Sequence, residues 1–236
     1  MTAPVVEIAA ISKAYGGLRP LRLQQLTVGA DDRIAILGFD APTAEVFVNL
    51  VTGASLPDSG EVRIFGRATS AIADSADWLS TIDRVGIVSE RAVLLDQLTV
   101  IQNLAMPFTL DIEPPADAVR RQAETLAAEV GLPAATWTRP AAELDAAGRL
   151  RVRLGRALAL GPLVLLLEHA SAGCETSAAS AVGRQIRAIG ERRGIAVVAA
   201  TADAGFADAV ASRVVTLEPA TGRLAERSTR RWFGLP

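Results

Sequence analysis

The sequence predicts an α/β protein built on a mostly parallel sheet. Three observations predict it. Short apolar runs that read as buried strands, at 33–37, 85–88, 163–167, 195–200 and 213–217, are separated by segments with helical spacing. The first of them runs into Gly38 and a short turn before a helical pattern begins, the strand–turn–helix order of a parallel crossover. Between about 97 and 140 strand-like runs give way to helical spacing.

Taken in order, residues 5–11 and 21–28 alternate or cluster apolar side chains as strands do, and Tyr15-Gly16-Gly17 makes the turn between them. The helix after strand 33–37 begins near Pro42, because proline suits a first helical turn. Asp40 or Thr43 caps its free N–H groups. Asp58-Ser59-Gly60 is a turn into strand 61–65, and 85–88 is a short buried strand. In the helical stretch Val119, Leu126 and Val130 share a face, with Gly131 where a helix end belongs. Residues 149–160 are helical, with Leu150, Leu154, Ala157 and Leu158 on one stripe and arginines opposite. The apolar strand 163–167 ends in Glu168-His169. A helix, strand 195–200, a second helix and strand 213–217 complete the alternation.

Composition narrows the function classes. The 236 residues suffice for one large domain or a domain with a small lobe, and half are apolar. With 24 basic and 26 acidic residues, bulk charge gives no reason to expect nucleic-acid binding. A single cysteine, Cys174, excludes an intramolecular disulfide framework and fits a reducing compartment. The start, MTAPVVEIAA, lacks the basic region and long apolar core of a signal peptide. The most apolar stretch, 157–167, is short and broken by Gly161-Pro162, so it cannot cross a bilayer. The expectation is a cytoplasmic protein that reaches a membrane only through partners. Lys13 is the only lysine and His169 the only histidine, so a mechanism needing either has few places to find one.

Three spans, LVTGASLPDSGEVRIFG (50–66), LTVIQNLAMPF (98–108) and AELDAAGRLRVRLGRALALGPLVLLLEHASAGCE (142–175), resemble the nucleotide-binding subunit of an ATP-binding cassette (ABC) transporter in order, spacing and flanking residues. The resemblance implies a single domain with an ABC-type P-loop NTPase-like core. That α/β core spans 1–91 and 143–236 and includes a small N-terminal β-subdomain, with a helical lobe inserted at 92–142. It also implies ATP with Mg²⁺ as cofactor and an integral membrane transporter subunit as partner. The chain would pair as a homodimer, or as a heterodimer with another ABC subunit, on the cytoplasmic face of the inner membrane.

The positions that carry the family's chemistry depart from its pattern. A phosphate loop reads G-x-x-x-x-G-K-[ST]: backbone N–H groups and a helix N-terminus cradle phosphate, lysine neutralises charge and a hydroxyl holds Mg²⁺. From Gly38 and Asp40 onward, this chain has Thr43 for the second glycine, Ala44 for the lysine, Glu45 for the hydroxyl and then Val46. Glu45 adds a repulsion of roughly 1 kcal/mol in water, and about 4 at an effective dielectric near 20, for like charges about 4 Å apart. The acids themselves suit the positive helix end that phosphate would take. ATP and Mg²⁺ are therefore expected to bind weakly or not at all, and no metal-ligand set is assigned.

By the same resemblance Tyr15 is the aromatic that stacks on adenine. Lys13 before it reads as a solvated charge, and an arginine that sequence does not identify is left to supply positive charge. Glu168 and His169 stand for the Asp-Glu pair that handles Mg²⁺ and the attacking water. His169 is either a base near neutral pH or a hydrogen-bonded structural residue. Glu90 replaces the glutamine that links metal to transporter, and Ala202 replaces the switch histidine. Leu144, Asp145, Ala146, Ala147 and Gly148 replace the signature LSGGQ, with Asp145 also reading as a helix N-cap. Because both the loop and the signature depart, pairing with a competent subunit leaves neither composite site intact.

Leu94, Leu95, Leu98, Val100, Leu104 and Met106 read either as a docking surface for a membrane partner or as core of the helical stretch. The tail Arg227-Ser228-Thr229-Arg230-Arg231-Trp232-Phe233 either docks on a partner or phospholipid surface or lies solvated. The leading reading is a non-hydrolysing structural or regulatory ABC subunit. An ABC ATPase using displaced residues and a binding module that holds nucleotide as a signal are the other two.

Overall fold

Residues 3–227 are described by the structure, a computed structural model. Strands β1 (Val6–Lys13), β2 (Leu21–Val28), β4 (Ser59–Ile64) and β5 (Arg67–Ala68) form an antiparallel sheet in the order β2-β1-β4-β5. Strands β3 (Arg33–Leu37), β6 (Val85–Ser89), β7 (Val164–Glu168), β8 (Ala196–Thr201), β9 (Arg213–Glu218) and β10 (Arg223–Glu226) form a second sheet in the order β10-β9-β3-β8-β7-β6. All its pairings are parallel except β10 with β9. The helices are α1 (Ala41–Val51), α2 (Ser75–Ile82), α3 (Val100–Ala105), α4 (Asp117–Glu129), α5 (Ala146–Leu158), α6 (Thr176–Arg193) and α7 (Ala204–Val210).

The central strands β7 and β8 are buried at every residue, which is why they read as continuous apolar runs. One face of the parallel sheet packs with α1 and the antiparallel sheet around Phe39, Phe47, Leu50 and Leu166. The other face packs with α3 to α7 around Leu104, Leu150, Leu154 and Phe206. Close approach is built in at Gly86 on β6, where an added Cβ would stand 2.6 Å from the carbonyl oxygen of Ala157 on α5. The hairpin-like approach of β4 to β1 depends on Gly60 (φ 82°), whose missing Cβ would collide with the Ala10 carbonyl at 2.4 Å.

Several expectations need correction. α2 and the antiparallel edge strand β10 were not read from the sequence. α2 buries no residue, and β10 is short and mostly exposed, so neither carries a strong periodic signal. The arginines opposite the apolar stripe of α5 include two with partners that the spacing did not show. Arg153 and Arg156 are half-buried, and donate to the carbonyls of Ala92 (3.2 Å) and Val93 (2.8 Å). Of the six residues read as a docking surface or core, Leu94, Val100 and Leu104 are buried in the helix-side core, and Leu98 and Met106 pack against it. Leu95 alone of the six is exposed. Leu94, Val100 and Leu104 are therefore core rather than docking surface, while the partly buried Met106 also borders a surface cavity with Ile87, Arg153 and Ala157. Residues 228–233 of the tail lie outside the described residues. Among the described residues no helix is long and apolar enough to cross a membrane.

Candidate functional site

Register brings the site together. Leu37 pairs with Thr201, Ser89 with Glu168, and Glu168 with Ala200, so β3, β8, β7 and β6 end in one row. The segments leaving that row, Gly38 onward, Ser89 onward and His169 onward, meet at the carboxyl edge of the sheet, where α/β proteins place their ligands.

The loop into α1 is shaped by its own side chains. Gly38 turns the chain with φ 94°, and Phe39 then buries completely, its ring set edge-on to Phe47 at 5.4 Å. Asp40 is the N-cap of α1, its Oδ1 accepting the Thr43 N–H at 2.9 Å. Hydrogen bonds from Thr43, hydroxyl first and then N–H, hold the Asp40 carboxyl below the usual carboxylate range. The Thr43 hydroxyl is also 2.9 Å from the Tyr15 hydroxyl, which draws Tyr15 over the loop. Ala44 is fully buried, while Glu45 is half exposed and Val46 half-buried.

At the end of β7 the Glu168 carboxylate is 5 % exposed and fully engaged. The Ser89 hydroxyl donates to its Oε1 at 2.8 Å, and Nε of Arg91 donates to the same oxygen at 2.7 Å. Nη2 of Arg91 donates to Oε2. The remaining nitrogen, Nη1, donates to Oε1 of Glu45 at 3.2 Å. One guanidinium therefore joins a carboxylate on α1 to one on β7, and these carboxylates hold Arg91 charged even more firmly than usual.

The other residues singled out by sequence stand outside this cluster. His169 has a left-handed backbone (φ 47°), and its N–H donates to Ala200 at 2.9 Å. Its Nε2 is buried without a hydrogen-bond partner among the described residues. Glu90 is exposed near Gly173 and Cys174, and Ala202 lies on the exposed bend between β8 and α7. Asp145 is exposed and caps α5, accepting the Gly148 N–H at 2.6 Å, while Leu144 and Ala146 are half-buried and Ala147 is buried. Burial, and then the carboxylates of Asp145 and Glu90, push the Cys174 thiol up. Lys13 pairs with Asp58 at 3.1 Å.

Sequence reasoning missed Arg91 and Ser89. The available signal was the pair of acids at 45 and 168, which had no cation assigned to balance them, with an arginine two residues beyond the end of β6. A cavity of about 650 Å³ opens on the other side of the loop, bordered by Tyr15, Arg19, Arg22, Asp40, Thr43 and Leu217, and Glu45, Glu168 and Arg91 are not among its walls.

A family model described as ABC transporter matches residues 22–172. The methionine import ATP-binding protein MetN of Brucella abortus (strain 2308) is 27% identical over 217 residues, covering 92% of this chain and 58% of that protein. The chain thus spans less than two thirds of that relative's length. The lipoprotein-releasing system ATP-binding protein LolD of Anaeromyxobacter dehalogenans is 29% identical over 212 residues, covering 88% of each chain. Among solved structures, the dimeric ATP-binding cassette MJ0796 in a post-hydrolysis state bound to ADP and phosphate superposes with a TM-score of 0.75 at 20% identity, covering 94% of this chain and 97% of that one.

Proposed function

Because this chain belongs to the ABC transporter family as an ATP-binding domain, we propose that it is a non-hydrolysing subunit of a membrane transport complex, structural or regulatory in role. One observation carries the reading. The N-terminus of α1, where a phosphate would collect N–H donors and the helix dipole, already holds the carboxylate of Asp40. Mg-nucleotide does not fit the neighbouring residues either. Ala44 brings no cation, Glu45 brings a negative charge in place of a hydroxyl, and the Glu168 carboxylate is spent on Ser89 and Arg91.

The names of the relatives, a methionine import and a lipoprotein-releasing ATP-binding protein, support an integral membrane partner, with this chain peripheral on the cytoplasmic side. Asp145 caps α5 with a carboxylate where the family's signature offers a serine, which argues equally against completing a site on a second subunit, identical or not.

The deciding experiment is calorimetric titration of the protein with ATP to millimolar concentration, with and without Mg²⁺. The expected result is no saturable heat and no thermal stabilisation. Saturable binding, followed by turnover when the membrane partner is added, would return the chain to the ATPases.

A second reading rests on the cavity beside Tyr15, which is large enough for a nucleoside. Binding there as a signal predicts saturable binding of a nucleotide or nucleoside without turnover. Absence of saturable binding of both adenosine and ATP removes that reading.

A further inference from the structure

We propose that Arg91 is the resident cation of this site, its guanidinium standing in for a divalent metal between Glu45 and Glu168 and keeping the junction of α1, β6 and β7 closed without metal or nucleotide. The inference rests on the functional reading above and names what holds that site shut.

Four features place Arg91 there. The planar fork takes Glu168 side-on through Nε and Nη2, which uses both carboxylate oxygens. Ser89 supplies another donor to Glu168, so a carboxylate that is almost wholly buried has no unmet demand for a cation. Nη1 is left to reach the Glu45 carboxylate on α1. The arginine is itself seated: its backbone N–H donates to Oγ of Ser89 at 3.0 Å, and Arg153 and Arg156 of α5 grip the next two carbonyls, those of Ala92 and Val93.

A divalent ion seeking Glu45 and Glu168 must approach or expel a fixed positive charge that already satisfies them. Lysine is a poor substitute for Arg91, because an ammonium is a point charge and cannot span two carboxylates in a planar fork. Arg91 thus acts as a positioning residue, tying two motifs that a metal and its nucleotide would otherwise join.

The test uses the full chain with Mn²⁺ alone, read by electron paramagnetic resonance and by thermal unfolding. Wild type is expected to bind no Mn²⁺ at millimolar concentration and to have the same Tm in chelator as in Mn²⁺. Arg91→Ala is expected to lower Tm by about 5–10 °C in chelator, since it strands a buried carboxylate. It should also gain Mn²⁺ affinity at least about tenfold, with Tm recovering as metal binds. Arg91→Lys guards against an alanine variant that does not fold. It is expected to lose Tm while staying refractory to Mn²⁺.

Stoichiometric Mn²⁺ binding by wild type or by Arg91→Lys overturns the proposal, as does an Arg91→Ala variant with wild-type Tm and no response to metal. No nucleotide is present, so failures separate. ATP binding by wild type would defeat the functional reading and, with it, the claim that Arg91 keeps the site shut to nucleotide, whereas Mn²⁺ binding by wild type without ATP binding would defeat this proposal and leave the functional reading standing.

Discussion

An anion arriving at the N-terminus of α1 must displace the Asp40 carboxylate from the Thr43 N–H, which it accepts at 2.9 Å. Breaking an N-cap costs about 1 kcal/mol. Asp40 is exposed, so the displaced charge about 4 Å from a phosphate costs about 1 kcal/mol more, the figure for water rather than for an interior. The sum, about 2 kcal/mol, corresponds to roughly 30-fold in Kd. Two substitutions separate the contributions. Asp40→Gly removes both, yet keeps α1 nearly intact because glycine at an N-cap costs only a few tenths of a kcal/mol. Asp40→Asn keeps a capping oxygen and removes the charge, so only the Coulomb part returns, about fivefold. Calorimetric titration with pyrophosphate at low salt should therefore rank glycine above asparagine above wild type. Pyrophosphate affinity of Asp40→Gly within twofold of wild type would refute the argument that Asp40 guards the helix end, as would asparagine matching glycine.

The remaining predictions concern stability. The Asp40 carboxyl is depressed below 3.8 in the fold, so its contribution is present above that value and lost as pH falls through the folded pKa. The Tm advantage of wild type over Asp40→Ala should accordingly stay flat from about pH 8 to 5 and collapse only below about pH 4. Phe47 is 1% exposed and braces Phe39, so Phe47→Ala should cost about 3–5 kcal/mol in denaturant unfolding. A loss under about 1 kcal/mol would mean the Phe39–Phe47 contact does not anchor the loop. Gly86→Ala should lower Tm by several degrees, because its Cβ would stand 2.6 Å from the carbonyl oxygen of Ala157, a backbone atom that no rotamer change can move away. A neutral result would show that α5 slides on the sheet.

The parallel core was legible because β3, β7 and β8 are buried on both faces and so appear as unbroken apolar runs. The cap at 40 was legible to within a choice of two, Asp40 or Thr43, and it is Asp40 that caps. What stayed hidden were contacts across long sequence separation. Arg91 reaches residues 46 and 77 positions away, and nothing local distinguishes it from the other arginines. The apolar run 94–106 was ambiguous for a related reason. Helical spacing shows that a face is apolar, and only the packing of α3 on α5 shows that the face is covered. Helical spacing placed the α5 arginines opposite the apolar stripe and said nothing of partners, yet Arg153 and Arg156 set their heads on the carbonyl oxygens of Ala92 and Val93.

The segment 89–93 has no regular secondary structure beyond the end of β6, yet side chains from α1, β7 and α5 hold it at Arg91, Ala92 and Val93. Its shape is settled when the chain folds. A partner meeting the exposed Val93 finds a surface whose ordering entropy has already been spent, so association there forfeits less freedom per contact than docking onto a loose loop would. Loosening those guanidinium contacts would weaken such association without touching a single atom of the contact surface.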